Sequence, residues 1–174
     1  MTLWLAAIPG SIWRPPVERL LVVARSMGLS VRHEHGRKFT SAQWPWTGAE
    51  LVVDLSSIDA ARILAHEIAH WLLATPRRRK LPDFGLDNGK NYAEHDREEN
   101  LASLLSILIE REVGADWMST AIGVEWLSFY GQPIGDGRDV RHFWQTVSAL
   151  TRHGLLVDGV PVCCLEPTER GEGR

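Results

Sequence analysis

Ala65-His-Glu-Ile-Ala-His-Trp-Leu-Leu73 is the stretch on which the reading of this chain turns. It contains His66-Glu67-Ile68-Ala69-His70, an H-E-x-x-H motif. The motif sits inside a helical pattern. Ile63, Leu64, Ile68, Trp71 and Leu72 supply the apolar side, Ser56 or Ser57 can cap the start, and Asp59 suits the first turn. Thr75-Pro76 ends the segment, so the helix is predicted to run to about Ala74. At four-residue spacing His66 and His70 lie one turn apart on one face. Two imidazoles so placed can reach one tetrahedral zinc at about 2.0–2.1 Å each. Glu67 can point at the zinc-bound water, act as general base and pass the proton to the leaving amine.

Working outward, Glu50-Leu-Val-Val-Asp-Leu55 reads as a strand entering this helix. Leu29 to His35 alternates and predicts an earlier strand. Pro15 to Met27 predicts a first helix, with Gly28 as its stop. Lys38 to Gly48, with Trp44-Pro45-Trp46, reads as a loop or irregular edge. Downstream, Pro76 to Asn91 is a polar loop. Tyr92 to Val113 then predicts a helix whose apolar stripe is Leu101, Leu104, Leu105, Leu108 and Ile109. A less regular helix is expected from Ala115 to Tyr130, and an amphipathic one from Asp139 to His153 carrying Val140, Phe143, Trp144, Val147 and Leu150. Leu155 to Val162 reads as a hairpin around Asp158-Gly159. The organisation expected is a metal-binding domain over 1–130, a helix-and-hairpin extension over 131–167 and a disordered tail over 168–174.

A catalytic zinc takes a third protein ligand and keeps one position open. The helix from Tyr92 opens with Glu94-His95-Asp96-Arg97-Glu98-Glu99. Glu98 precedes Leu101 and Leu105 by three and seven residues and continues the apolar stripe, where a carboxylate needs a partner. Glu98 is therefore the expected ligand, with Glu94, His95, Asp96 and Glu99 as alternatives. Glu99 leads instead to Ser103 and Ser106, a more polar face. Tyr92 and His95 are the expected oxyanion-stabilising groups, ahead of His142 and His153.

Taken together, the two strands, the His-Glu-x-x-His helix and a glutamate on a following helix resemble the gluzincin metallopeptidases, and within them the small ImmA/IrrE-like family. The matching pieces are Leu51–Leu55, Ala65–Leu73 and Glu98-Glu-Asn-Leu-Ala-Ser-Leu-Leu105, the last corresponding to an E-x-x-A-like helix start. The family's aromatic-alanine pair and Leu-Leu-Met-Pro-like helix end are absent, as is an obvious N-terminal helix-turn-helix. The resemblance implies an α+β fold with a small zincin (minigluzincin-like) core of helices on a short sheet. It further implies a Zn2+ cofactor held by His66, His70 and Glu98, with a regulatory repressor protein as the substrate class.

The remaining features bound the function. A net charge of −3 at pH 7 and a pI near 6.2 argue against a dedicated nucleic-acid binder. No apolar run reaches the roughly 18–20 residues of a membrane span, so no membrane partner is expected. Cys163 and Cys164 are adjacent, form no disulfide framework and fit a cytoplasmic setting; one is expected buried and one exposed within a strand. Arg77-Arg78-Arg79-Lys80 is expected to complement the negative end of the preceding helix. His33 and His35 share a strand face without a third partner and read as surface residues. Glu50 to Leu55 is expected at or next to a sheet edge that pairs with an extended peptide. The leading expectation is a zinc metalloendopeptidase acting on a protein or peptide. The rival is a non-catalytic, zinc-stabilised regulatory protein whose helix and hairpin from Asp139 to Val162 resemble a winged-helix fragment.

Overall fold

A computed structural model of the chain describes residues 14–37, 45–86, 92–121 and 138–165; of 92–96 and 138–143 only the backbone is described. The expected loop tip at 38–44, the far part of the helix expected to Tyr130, the connector 131–137 and the tail 168–174 lie outside the described residues.

Helix α1 spans Pro15–Ser26, with prolines in its first turn, where a missing N–H costs nothing. Val17, Leu20, Val23 and Ala24 form its buried side. Gly28 stops it at φ 74°. The Leu29 N–H returns to the Ala24 carbonyl at 2.9 Å and the Gly28 N–H to Arg25 at 3.0 Å. The α5 helix, Arg138–Arg152, ends the same way at Gly154.

Strands β1 (Val31–His33) and β2 (Leu51–Val53) pair in parallel, Val31 opposite Leu51 and His33 opposite Val53. All of β2 is buried, which matches its unbroken Leu-Val-Val run. On its other side Trp46 forms an antiparallel bridge with Leu51, and the Val52 N–H donates to the Pro45 carbonyl at 2.9 Å. β2 is thus flanked on both sides at this level, which leaves it next to a sheet edge rather than at one.

Helix α2 runs Ala60–Leu73, later than the Ser56 or Ser57 start expected from sequence. Asp54 explains the delay. Its carboxylate accepts the Ser56 N–H at 3.0 Å, the Ser56 hydroxyl at 2.5 Å and the Gly36 N–H at 2.7 Å. These bonds stabilise a turn that competes with the helix. They also hold Asp54 down to about 2, through the Ser56 hydroxyl first and then the Gly36 N–H.

Helix α3, Tyr92–Val113, coincides with its predicted range and packs along α2. Leu64, Ala65, Ile68 and Ala69 of α2 share one core with Leu101, Ala102, Leu104, Leu105 and Ile109 of α3. Ser103 and Ser106 are buried as well. The polar face of α3 is therefore also an interior face. Arg19 of α1 donates to the Val113 carbonyl at 2.8 Å and ties α1 to the end of α3.

The short α4 covers Trp117–Ala121. The predicted hairpin is present: β3 (Leu156–Val157) pairs antiparallel with β4 (Val160–Pro161). Asp158 and Gly159 both have positive φ, 51° and 77°, as a tight hairpin turn needs. Leu150, Leu155, Leu156 and Cys163 of this region join the same core as α2 and α3. Two expectations change here. Cys163 and Cys164 lie in a short 3-10 turn, one buried and one half-buried, rather than in a strand. Trp144 is 60% exposed, although the helical pattern placed it on the apolar face of α5. The molecule is α+β, and among the described residues no helix is long and apolar enough to cross a membrane.

Candidate metal centre

The α2–α3 interface brings His66, His70 and Glu99 together, with their ligand atoms all within 4.8 Å of one another. His66 Nε2 lies 3.1 Å from His70 Nε2. Glu99 Oε1 lies 3.1 Å from His70 Nε2, and Glu99 Oε2 lies 3.4 Å from His66 Nε2. For ligands about 2.0–2.1 Å from a tetrahedral zinc, neighbouring ligand atoms stand roughly 3.3–3.4 Å apart. The 3.1–3.4 Å separations, two of them reached by different oxygens of Glu99, are close to that spacing. Both ring nitrogens face each other and a carboxylate, so one cation answers all of them at once. The residues present fit Zn2+.

Burial and charge shape this cluster. Burial holds His66 below its ordinary range. Burial also opposes charging of His70, but the carboxylates of Glu98 and Glu99 outweigh it and push that ring up to about 10. Glu99 is held well below the carboxylate range: burial works against this, and the bonds to His66 and His70 prevail. Glu67 is buried beside them, and burial pushes it up to about 8, helped by the charges of Asp83 and Glu99 and opposed by His70. A carboxyl with that environment, adjacent to paired histidines, is suited to exchanging a proton near neutral pH.

Glu98, the ligand expected from sequence, is elsewhere. Its carboxylate takes a two-pronged bond from Arg78, at 2.5 and 2.8 Å, and its Oε1 lies 3.5 Å from His70 Nδ1. The expectation rested on Glu98 lying toward the apolar stripe. The Glu99–Ser103–Ser106 face is turned inward as well. The E-x-x-A spacing was the signal for this: Glu99, not Glu98, stands three residues before Ala102. Tyr92 and His95 are in the first turn of α3, and their side chains, with those of Glu94, Asp96 and His142, lie outside the described residues. His153 is exposed beyond the end of α5.

The loops after α2 close one side of the centre. Arg79 donates to the Trp71 carbonyl at 2.8 Å near the end of α2 and lies over the Trp71 ring at 4.7 Å. Arg78 donates through Nε to the Phe84 carbonyl at 2.8 Å. Asp83 and Phe84 are held at φ 47° and 50°, a costly conformation for such residues. Phe84 is fully buried and stacks on Trp46 (5.4 Å, 3°) and on His70 (5.7 Å, 21°). Trp46 in turn meets Trp71 edge-on at 5.2 Å and donates to the Arg79 carbonyl at 3.0 Å. Trp46 therefore closes the core beneath these loops. Gly48 admits their close approach: a Cβ there would stand 2.9 Å from the Lys80 carbonyl oxygen.

His33 and His35 acquire a third partner that sequence did not suggest. Asp54 places Oδ1 3.8 Å from His33 Nδ1 and Oδ2 3.9 Å from His35 Nδ1. His33 Nδ1 also accepts the Leu55 N–H at 3.1 Å, so the ring is committed to the turn that precedes α2.

A scan against protein-family models, a search of curated proteins and a search of solved structures each return no match.

Proposed function

We propose that the chain is a zinc-dependent metalloendopeptidase with a small gluzincin-type core, acting on a protein or peptide substrate. The observation that carries this reading is the cluster of His66, His70 and Glu99, whose ligand atoms all lie within 4.8 Å of one another, with buried Glu67 beside it. In this reading Glu99 replaces Glu98 as the third ligand. When bound there, zinc supplies a Lewis acid for the scissile carbonyl and a positive charge that favours the carboxylate form of Glu67. Glu67 then takes the proton of the attacking water and returns it to the departing amine. Phe84 excludes water from one face of His70. The family resemblance carried by residues 51–55, 65–73 and 98–105 makes a regulatory repressor the substrate class to try first.

Metal content and hydrolysis together test this reading. The protein, purified without a metal-binding tag, is expected to carry about one zinc per chain, lost in His66→Ala, and to cleave casein or a repressor panel only when loaded. Absence of metal after incubation with zinc overturns the reading. Firm zinc binding with marked thermal stabilisation, but no cleavage across the panel, favours a zinc-stabilised regulatory protein instead.

A further inference from the structure

The two nitrogens of His70 have different surroundings. Nε2 faces His66 and Glu99. Nδ1 is buried, makes no hydrogen bond within normal geometry among the described residues, and has the Glu98 carboxylate 3.5 Å away. A neutral imidazole that binds a metal through Nε2 must carry its proton on Nδ1, and in a dry site that N–H needs an acceptor. Glu98 Oε1 is placed to be that acceptor. Glu98 does not stand there unaided, because Arg78 grips both of its oxygens with a guanidinium fork. The third anchor of that guanidinium is the Phe84 carbonyl, and the Phe84 ring stacks on His70. One side chain therefore fixes both the carboxylate behind the ring and the aromatic wall beside it.

We propose that Arg78 and Glu98 act as one positioning pair for His70, turning its Nε2 toward His66 and Glu99. This rests on reading His66, His70 and Glu99 as a metal site. Both are positioning residues, outside the group of His66, His70 and Glu99. Arg78→Lys can reproduce the role only in part, because an ammonium keeps the charge but lacks the planar fork that spans a carboxylate.

The test uses the full-length chain and the variants Glu98→Leu, Arg78→Met, Arg78→Lys and the Glu98→Leu/Arg78→Met double, with Arg77→Met as an exposed control. Zinc affinity is read by competition with a chromophoric chelator, and folding by circular dichroism. Glu98→Leu and Arg78→Met are each expected to weaken zinc by about 10–100-fold. The double variant is expected to lose little more than the worse single one, as parts of one unit do. Arg78→Lys should recover only part of the loss, and Arg77→Met should match wild type. Should Glu98→Leu fail to fold, Glu98→Gln serves, with a smaller expected loss because its amide oxygen can still accept. Unchanged affinity in folded Glu98 variants overturns the proposal, and so does a fall in thermal stability alone.

A second readout needs no metal. In the metal-free protein the His70 Nδ1 proton should be seen by NMR as a slowly exchanging resonance that Glu98→Leu abolishes. Survival of that resonance in the variant also overturns the pairing. If wild type binds no zinc, the functional reading falls, while this measurement still decides whether Glu98 holds the ring.

Discussion

His70 Nε2 and Glu99 Oε1 stand 3.1 Å apart across the α2–α3 interface. Neither helix can make this contact alone. It exists because α3 packs along α2 with Glu99 on the facing side.

Glu99→Gln should weaken zinc by more than about a hundredfold, beyond the range of a residue that only supports a ligand. Glu98→Gln should weaken it less. Chelator competition on both variants measures the difference. The reverse order would return the third-ligand role to Glu98.

Glu67→Gln should leave zinc content near wild type and reduce turnover by about 10²–10⁴-fold, the usual contribution of a positioned proton carrier. Metal analysis and a cleavage assay on the same preparation make the check. Unimpaired hydrolysis in this variant would remove Glu67 from the mechanism.

Phe84→Ala should destabilise the fold by about 3–5 kcal/mol, the cost of deleting a fully buried ring. Urea unfolding gives the number. The same variant should weaken zinc, since His70 loses the ring stacked on it.

Glu110 is buried in α3, with Oε2 accepting the Thr120 hydroxyl at 2.8 Å and Oε1 without a hydrogen bond among the described residues. Burial pushes it up to about 7. Its folded form therefore holds a proton that the unfolded chain releases near pH 4.5. Its contribution to stability is lost as pH rises from about 4.5 to 7. Glu110→Gln should flatten that window and stabilise the protein at pH 8 by about 1–3 kcal/mol. Thermal melts from pH 4 to 8 measure it, and a variant less stable at pH 8 contradicts it.

Asp54 works with the opposite sign. Its folded value of about 2 lies below the ordinary 3.8, so its contribution is full above about pH 4 and vanishes as pH falls toward 2. Asp54→Asn should lower the melting temperature at pH 7 and remove this part of the acid transition. Equal acid slopes in the variant and wild type would mean that the turn before α2 does not depend on the charge.

Much of this architecture is written locally. The ranges of α1, α3 and α5, the hairpin at Asp158-Gly159 and the one-turn spacing of His66 and His70 follow from periodicity, proline and glycine punctuation and turn chemistry, which act over a few residues. What only the tertiary structure decided are relations between segments. Asp54 completes the His33–His35 group from across a parallel strand pair, and Pro45–Trp46 covers one flank of β2, the strand expected at or next to a peptide-pairing edge. Arg78 crosses from a loop to Glu98. The placement of Glu99 beside His66 and His70, with Glu98 held by Arg78, belongs here too. Adjacent residues on a helix point about 100° apart, and the amphipathic stripe could not separate them, because α3 buries both its leucine face and its serine face.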